Sequence, residues 1–181
     1  MEGPWEVAIF VFGLLTDADT RWMARTGVQR QIKDRDILVQ EGQPVKSVVF
    51  LLQGECVVTE HAAGEIARLG VGDIVGEMSF LDSAPPSATV TAVGDGLGLF
   101  LDKETLAQRL EADAAFGRRF YRALAIFLAD RLRGTIRRMG STPDLDPKTV
   151  AEDELDRRIL SVVSNARDRF NRLLKMLAGD S

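Results

Sequence analysis

The side chains best placed to do chemistry lie in one stretch: Gly70-Val71-Gly72-Asp73-Ile74-Val75-Gly76-Glu77-Met78-Ser79-Phe80-Leu81-Asp82, followed by Ser83-Ala84-Pro85-Pro86-Ser87-Ala88-Thr89-Val90. Read physically, a glycine turn and a strand feed a short apolar helix, which returns through prolines into another strand. The first amides of such a helix have no partner within it and carry the positive end of its dipole, so the turn is suited to an anion. Glu77 stands beside it, and a carboxylate next to an anion site needs a hydroxyl to bond. A sugar with a neighbouring phosphate would satisfy both.

The rest of the chain offers little reactive chemistry. His61 is the only histidine and precedes a turn, with no cysteine or histidine at ligand spacing, so it reads as a surface residue. Cys56 is the only cysteine, which excludes an intramolecular disulfide, fits a reducing compartment and predicts a small buried hydrophobe. No nucleophile–base set and no Gly-Lys-Ser/Thr loop are present, so an enzyme is not expected.

With 181 residues, 45% of them hydrophobic and 28% charged, the chain can build one good core without a metal or a disulfide. Its net charge of −4 argues against a generic nucleic-acid binder. Val7–Leu15 is apolar but too short to span a bilayer and lacks a basic leader, so it predicts a buried N-terminal helix or strand. Thr16 with Asp19 reads as a capping box opening a short helix that Gly27 closes.

From Val28 to Leu101 short β-branched runs are broken every eight to twelve residues by Gly, Asp or Pro, among them 37–39, 47–52, 55–59, 66–69, 88–93 and 98–101. Gln53-Gly54 and Ala63-Gly64-Glu65 read as turns between runs. That texture predicts an all-β roll or barrel. Helical periodicity then takes over, with a short helix at Lys103–Leu110 and a long one at Ala114–Met139. On the long helix Tyr121, Ala125, Leu128, Leu132, Thr135 and Met139 form a heptad seam. Phe116, Phe120, Leu124 and Phe127 form a second stripe. Two apolar faces imply two partners: the roll for one and a second copy of the chain for the other, unless both pack within a monomer. The arginines of this helix (118, 119, 122, 131, 133, 137 and 138) read as a solvated face, with a phosphate or an acidic partner as the alternative. A break at 140–147 leads to a last amphipathic helix carrying Leu155, Ile159, Val162, Ala166, Phe170, Leu173 and Leu177 on one face.

From about Phe12 to Met139 the chain resembles the cyclic-nucleotide-binding domain family. The resemblance rests on the lead helix, Glu41-Gly42, Phe50-Leu51-Leu52-Gln53-Gly54, Leu69-Gly70-Val71-Gly72-Asp73, and most specifically Gly76-Glu77-Met78-Ser79-Phe80-Leu81-Asp82, which is similar to the family's phosphate-binding cassette. It implies an α+β fold: an eight-stranded antiparallel β-roll or jelly roll with an N-terminal helix and long C-terminal helices. Residue by residue it implies a ligand site at Gly76, Glu77, Met78, Ser79, Pro86, Ser87, Ala88 and Thr135. Gly76 would offer its amide, Glu77 would accept from the ribose 2′-hydroxyl, and Ser87 and the Ala88 amide would bond the cyclic phosphate. Thr135 matches the threonine that reaches the adenine from the long helix. Val48, Phe50 and Leu52 would line the pocket. Pro86 departs from the pattern, because the family places there the arginine that pairs with the phosphate. Proline offers neither a side-chain donor nor an N–H. Arg68 or Lys46 could reach in from neighbouring strands.

The expected organisation is a roll with its lead and long helices at 1–139, a linker at 140–147 and an amphipathic helix at 148–181. Two functions follow from different classes. One is a non-enzymatic cytoplasmic sensor that takes cAMP, cGMP or a related anion weakly and signals through its C-terminal helices. The other is a degenerate module for dimerisation or protein interaction. No cofactor, DNA or membrane contact is expected; a homodimer through the long helix and an unknown protein partner are.

Overall fold

The computed structural model describes residues 11–138 and 154–178, with only the backbone described at 130, 134–138 and 154–165. A helical segment at 11–14 (α1) leads into α2 (Asp17–Thr26), opened by the expected capping box: the Thr16 hydroxyl accepts from the Asp19 amide, and the Asp19 carboxylate accepts from the Thr16 amide. Val11, Phe12 and Leu15 are buried, as the apolar N-terminal run requires.

Six strands follow: β1 (Val28–Ile32), β2 (Ile37–Val39), β3 (Ser47–Glu60), β4 (Gly64–Leu69), β5 (Ile74–Val75) and β6 (Thr89–Asp102), with α3 (Glu77–Leu81) between the last two. They form one antiparallel sheet in the order β1-β6-β3-β4, with β2 also on β6 and β5 also on β3. Among the described residues there are six continuous strands where eight were expected, since β3 carries the runs 47–52 and 55–59, and β6 carries most of 88–93 and all of 98–101. Gln53-Gly54 is therefore no turn. It is where β3 shifts register against β6. Gly54 has φ +92°, and a Cβ there would lie 2.8 Å from the Gly96 Cα, so glycine alone lets the two bent strands meet.

The sheet separates two cores. Val49, Leu51, Cys56, Val58, Leu69, Val75 and Val90 fill the inside of the roll. Val48, Phe50, Leu52, Leu99 and Leu101 face the helices, where they meet Phe12, Met23, Phe116, Phe120, Leu124 and Phe127. The pocket-lining role expected of Val48, Phe50 and Leu52 is thus corrected. Strand alternation sets the period of a sheet but not which set of residues faces which side. Burial holds the Cys56 thiol up at about 11, so it is an inert core residue as expected.

Helices α4 (Lys103–Ala112), capped by Asp102, and α5 (Ala114–Arg138) complete the helical layer. The stripe Phe116, Phe120, Leu124, Phe127 is buried, and each fully buried aromatic contributes about 1.5–3 kcal/mol. Helix α6 (Glu154–Ala178) folds back onto the same chain. Ala166, Phe170 and Leu173 are buried, Phe170 packs against Phe12 at 5.3 Å, and Arg169 bonds both the Asp17 carboxylate and the Gly13 carbonyl. The expected linker at 140–147 and the start of the last helix lie outside the described residues.

Candidate functional site

The cassette is built as a turn, a helix and a return. The Leu51 amide donates to the Asp73 carbonyl and the Gly72 amide to the Leu51 carbonyl, which ties the turn to β3. The Asp73 carboxylate accepts from the Gly70 amide and closes the turn. Gly76 then enters α3 with φ +83°, and a Cβ there would lie 2.8 Å from the Ser47 carbonyl oxygen. Both the left-handed backbone and the close approach to β3 require glycine. On the return, the Pro86 carbonyl accepts from the Gly42 amide at 2.8 Å, and the Thr89 hydroxyl accepts from the Glu41 amide at 3.1 Å. The Glu41-Gly42 pair therefore anchors the segment that carries Pro86, Ser87 and Ala88.

Glu77, the first residue of α3, is 3% exposed. Its Oε1 accepts from Arg131 Nη1 of α5 at 2.5 Å, and the same guanidinium lies 5.0 Å over the Phe127 ring. Burial raises the Glu77 carboxyl above its ordinary range; Arg131 opposes that shift and nearby Asp73 adds to it. Burial raises Asp73 too, against the pull of the Gly70 amide and Arg131. Lys103 is lowered by burial, with Asp82 and Glu77 opposing. The site thus gathers three carboxylates and two cations. A second link joins the same helices, with the Phe80 ring edge-on to Phe120 and stacked on Tyr121.

The expected site residues divide into groups. Gly76, Glu77 and Ser79 sit at the start of α3, and Met78 beside them is 55% exposed. Pro86 and Ala88 are half-buried and Ser87 is exposed on the return. Thr135 falls within α5, but its side chain lies outside the described residues. Arg68 does not reach the cassette: it is held on the surface by Glu65 and Glu55, and Lys46 is exposed. His61 is exposed as expected. It edges a cleft of about 450 Å³ with Glu41, Glu60 and Thr89, and none of Gly76 to Pro86 lines that cleft.

Arg131 is the residue that sequence reasoning passed over, because it read as one of a solvated run. A signal was present: Arg131 stands four residues beyond Phe127 and so continues the buried stripe. Arg119 is a parallel case, donating two bonds of 2.8 Å to the buried Asp19.

An antiparallel roll whose strands are interrupted by a glycine-entered helix, and which ends in a long helix over that insertion, is the architecture of cyclic nucleotide-binding domains. Residues 29–113 match the family model described as cyclic nucleotide-binding domain. A solved cyclic nucleotide-binding domain from Methylobacillus flagellatus KT is 25% identical, with 82% of this chain and 85% of that one aligned at a TM-score of 0.67. The Thermus thermophilus Catabolite Activator Protein shares the fold, at 20% identity, TM-score 0.60 and 94% and 87% coverage. A cAMP-dependent protein kinase regulatory subunit from Debaryomyces hansenii is 31% identical over 75 residues, 41% of this chain and 17% of that protein. A putative potassium channel protein from Rhodopseudomonas palustris is 27% identical over 111 residues, 60% of this chain and 27% of that protein, so the chain spans well under a third of the length of either curated relative.

Proposed function

We propose that this chain is a non-enzymatic regulatory module that takes cAMP or cGMP weakly at its cassette and signals through its C-terminal helices. The observation that carries this reading is the Glu77–Arg131 ion pair. The carboxylate proposed to accept from a ribose hydroxyl is bonded to the long helix. A ligand that engages Glu77 must compete with Arg131, so occupancy and the seating of α5 become linked equilibria. Gly76, Glu77, Met78, Ser79, Ser87 and Ala88 are the proposed contacts, with Pro86 as the weak point and Thr135 as the contact from the long helix. Ser87 supports the phosphate role in being exposed, with no hydrogen-bond partner among the described residues. A cytoplasmic setting belongs to the same proposal. Among the described residues no helix is long and apolar enough to cross a membrane.

The test is the melting temperature of the full chain with and without cyclic nucleotide. At ten times its Kd a ligand adds about 1.4 kcal/mol, a rise of about 3–6 °C for a chain of this size. An unchanged melting curve at millimolar cAMP and cGMP would leave the second reading, a degenerate module for assembly, which Pro86 and the surplus of carboxylates around Glu77 favour.

Assembly is part of either reading. On the seam face of α5, Tyr121 is 45% and Leu132 61% exposed, while the Phe116–Phe127 stripe is spent on the roll. We therefore expect a homodimer through α5. Sedimentation velocity should show a dimer that Leu132→Asp converts to monomer; a wild-type monomer at high micromolar concentration rules the seam out.

A further inference from the structure

We propose that a cleft between α1 and α5 binds a phosphomonoester dianion, held by Arg118 and Arg122 against the fixed guanidinium of Arg119. The cleft, about 310 Å³, is lined by Leu14 and these three arginines. Arg119 is immobilised, because both oxygens of buried Asp19 accept from it. Asp19 is thereby used up, and it also accepts from the Thr16 amide. The other carboxylate of α2, Asp17, is taken by Arg169 and Arg172 of α6. Arg118 and Arg122 are exposed and have no acid partner among the described residues.

Residues four apart on a helix are neighbours, and like charges there repel. Two unbalanced guanidinium groups facing a shared cleft therefore favour a ligand of charge −2. Arginine presents N–H pairs that match phosphate oxygens, and a tetrahedral dianion can accept from several at once. The Arg119–Asp19 pair adds a fixed donor wall at little net charge. This cleft is separate from the cassette, and its ligand differs in charge from a cyclic phosphodiester, so the proposal stands independently of the nucleotide reading.

The test is calorimetric titration of the full chain at constant ionic strength, with glycerol 3-phosphate in solution in one arm and phosphatidylcholine vesicles with and without phosphatidic acid in the other. Saturable binding is expected in at least one arm. Arg118→Gln/Arg122→Gln should weaken it at least about tenfold while leaving the unliganded melting curve intact. Lys33→Gln/Arg35→Gln, an equal loss of charge on the β1–β2 turn, should leave the affinity unchanged. Binding in solution identifies a free phosphomonoester, and binding to phosphatidic acid vesicles alone identifies a lipid headgroup. No saturable binding in either arm, binding that survives Arg118→Gln/Arg122→Gln, or equal weakening by both double variants overturns the proposal.

Discussion

Arg131→Met should lower the stability of the fold by about 3 kcal/mol at pH 7, read by urea denaturation of the full chain. Removing one partner of a buried ion pair leaves the other charge uncompensated, at a cost of about 3–5 kcal/mol. The low end applies because Arg131 keeps 30% of its side chain exposed while Glu77 keeps 4%. The pH dependence follows from Glu77, whose carboxyl burial already holds above the ordinary carboxylate range. Without Arg131 the main opposition to the shift is gone, and the folded chain holds its proton to still higher pH than the unfolded one. A carboxyl raised in the folded state favours folding below its unfolded value, and that contribution is lost as pH rises. The deficit of Arg131→Met should therefore be small near pH 4.5 and grow towards neutrality. Adding Glu77→Gln should recover most of it. A deficit below about 1 kcal/mol at pH 7, or one independent of pH, would mean that the pair is a surface contact.

Pro86→Arg should raise affinity for cAMP or cGMP by about 10- to 150-fold, the worth of one charged hydrogen-bond partner, about 1.5–3 kcal/mol. The substitution keeps the Pro86 carbonyl that accepts from Gly42, so the anchor of the return segment survives. It adds a bidentate donor beside Ser87 in a site whose carboxylates now outnumber its cations. If the variant melts like the wild type and gains no affinity, then residue 86 does not face a bound phosphate.

The fold was legible where local chemistry settles it. The Thr16–Asp19 capping box, the left-handed glycine that opens α3, the Phe116–Phe127 stripe of α5 and the return of β-texture into helix at Asp102 are each written in local sequence. The strand count was not, because Gly54 permits a bend inside β3 only by virtue of Gly96, forty-two positions on and on another strand. Which face of β3 looks inward was equally hidden: Val48 and Val49 are both apolar, since the sheet is buried on both sides there. The site was legible as a set of backbone positions, Gly76, Glu77 and the prolines. Its electrostatics were not, because the partner of Glu77 comes from α5, fifty-four residues later. The same long-range pairing hid Arg119 on Asp19, where burial alone would raise the acid but Arg119 and Thr16 together bring it below its ordinary value.

The central claim is that the Glu77 carboxylate serves both a ribose and the long helix. It is tested most directly by calorimetric titration of cAMP and cGMP into the wild-type chain and into Glu77→Gln. Saturable binding to the wild type is expected, one nucleotide per chain, weakened about tenfold or more by Glu77→Gln. Nucleotide binding of equal strength to both chains, or none to the wild type at millimolar ligand, would contradict it.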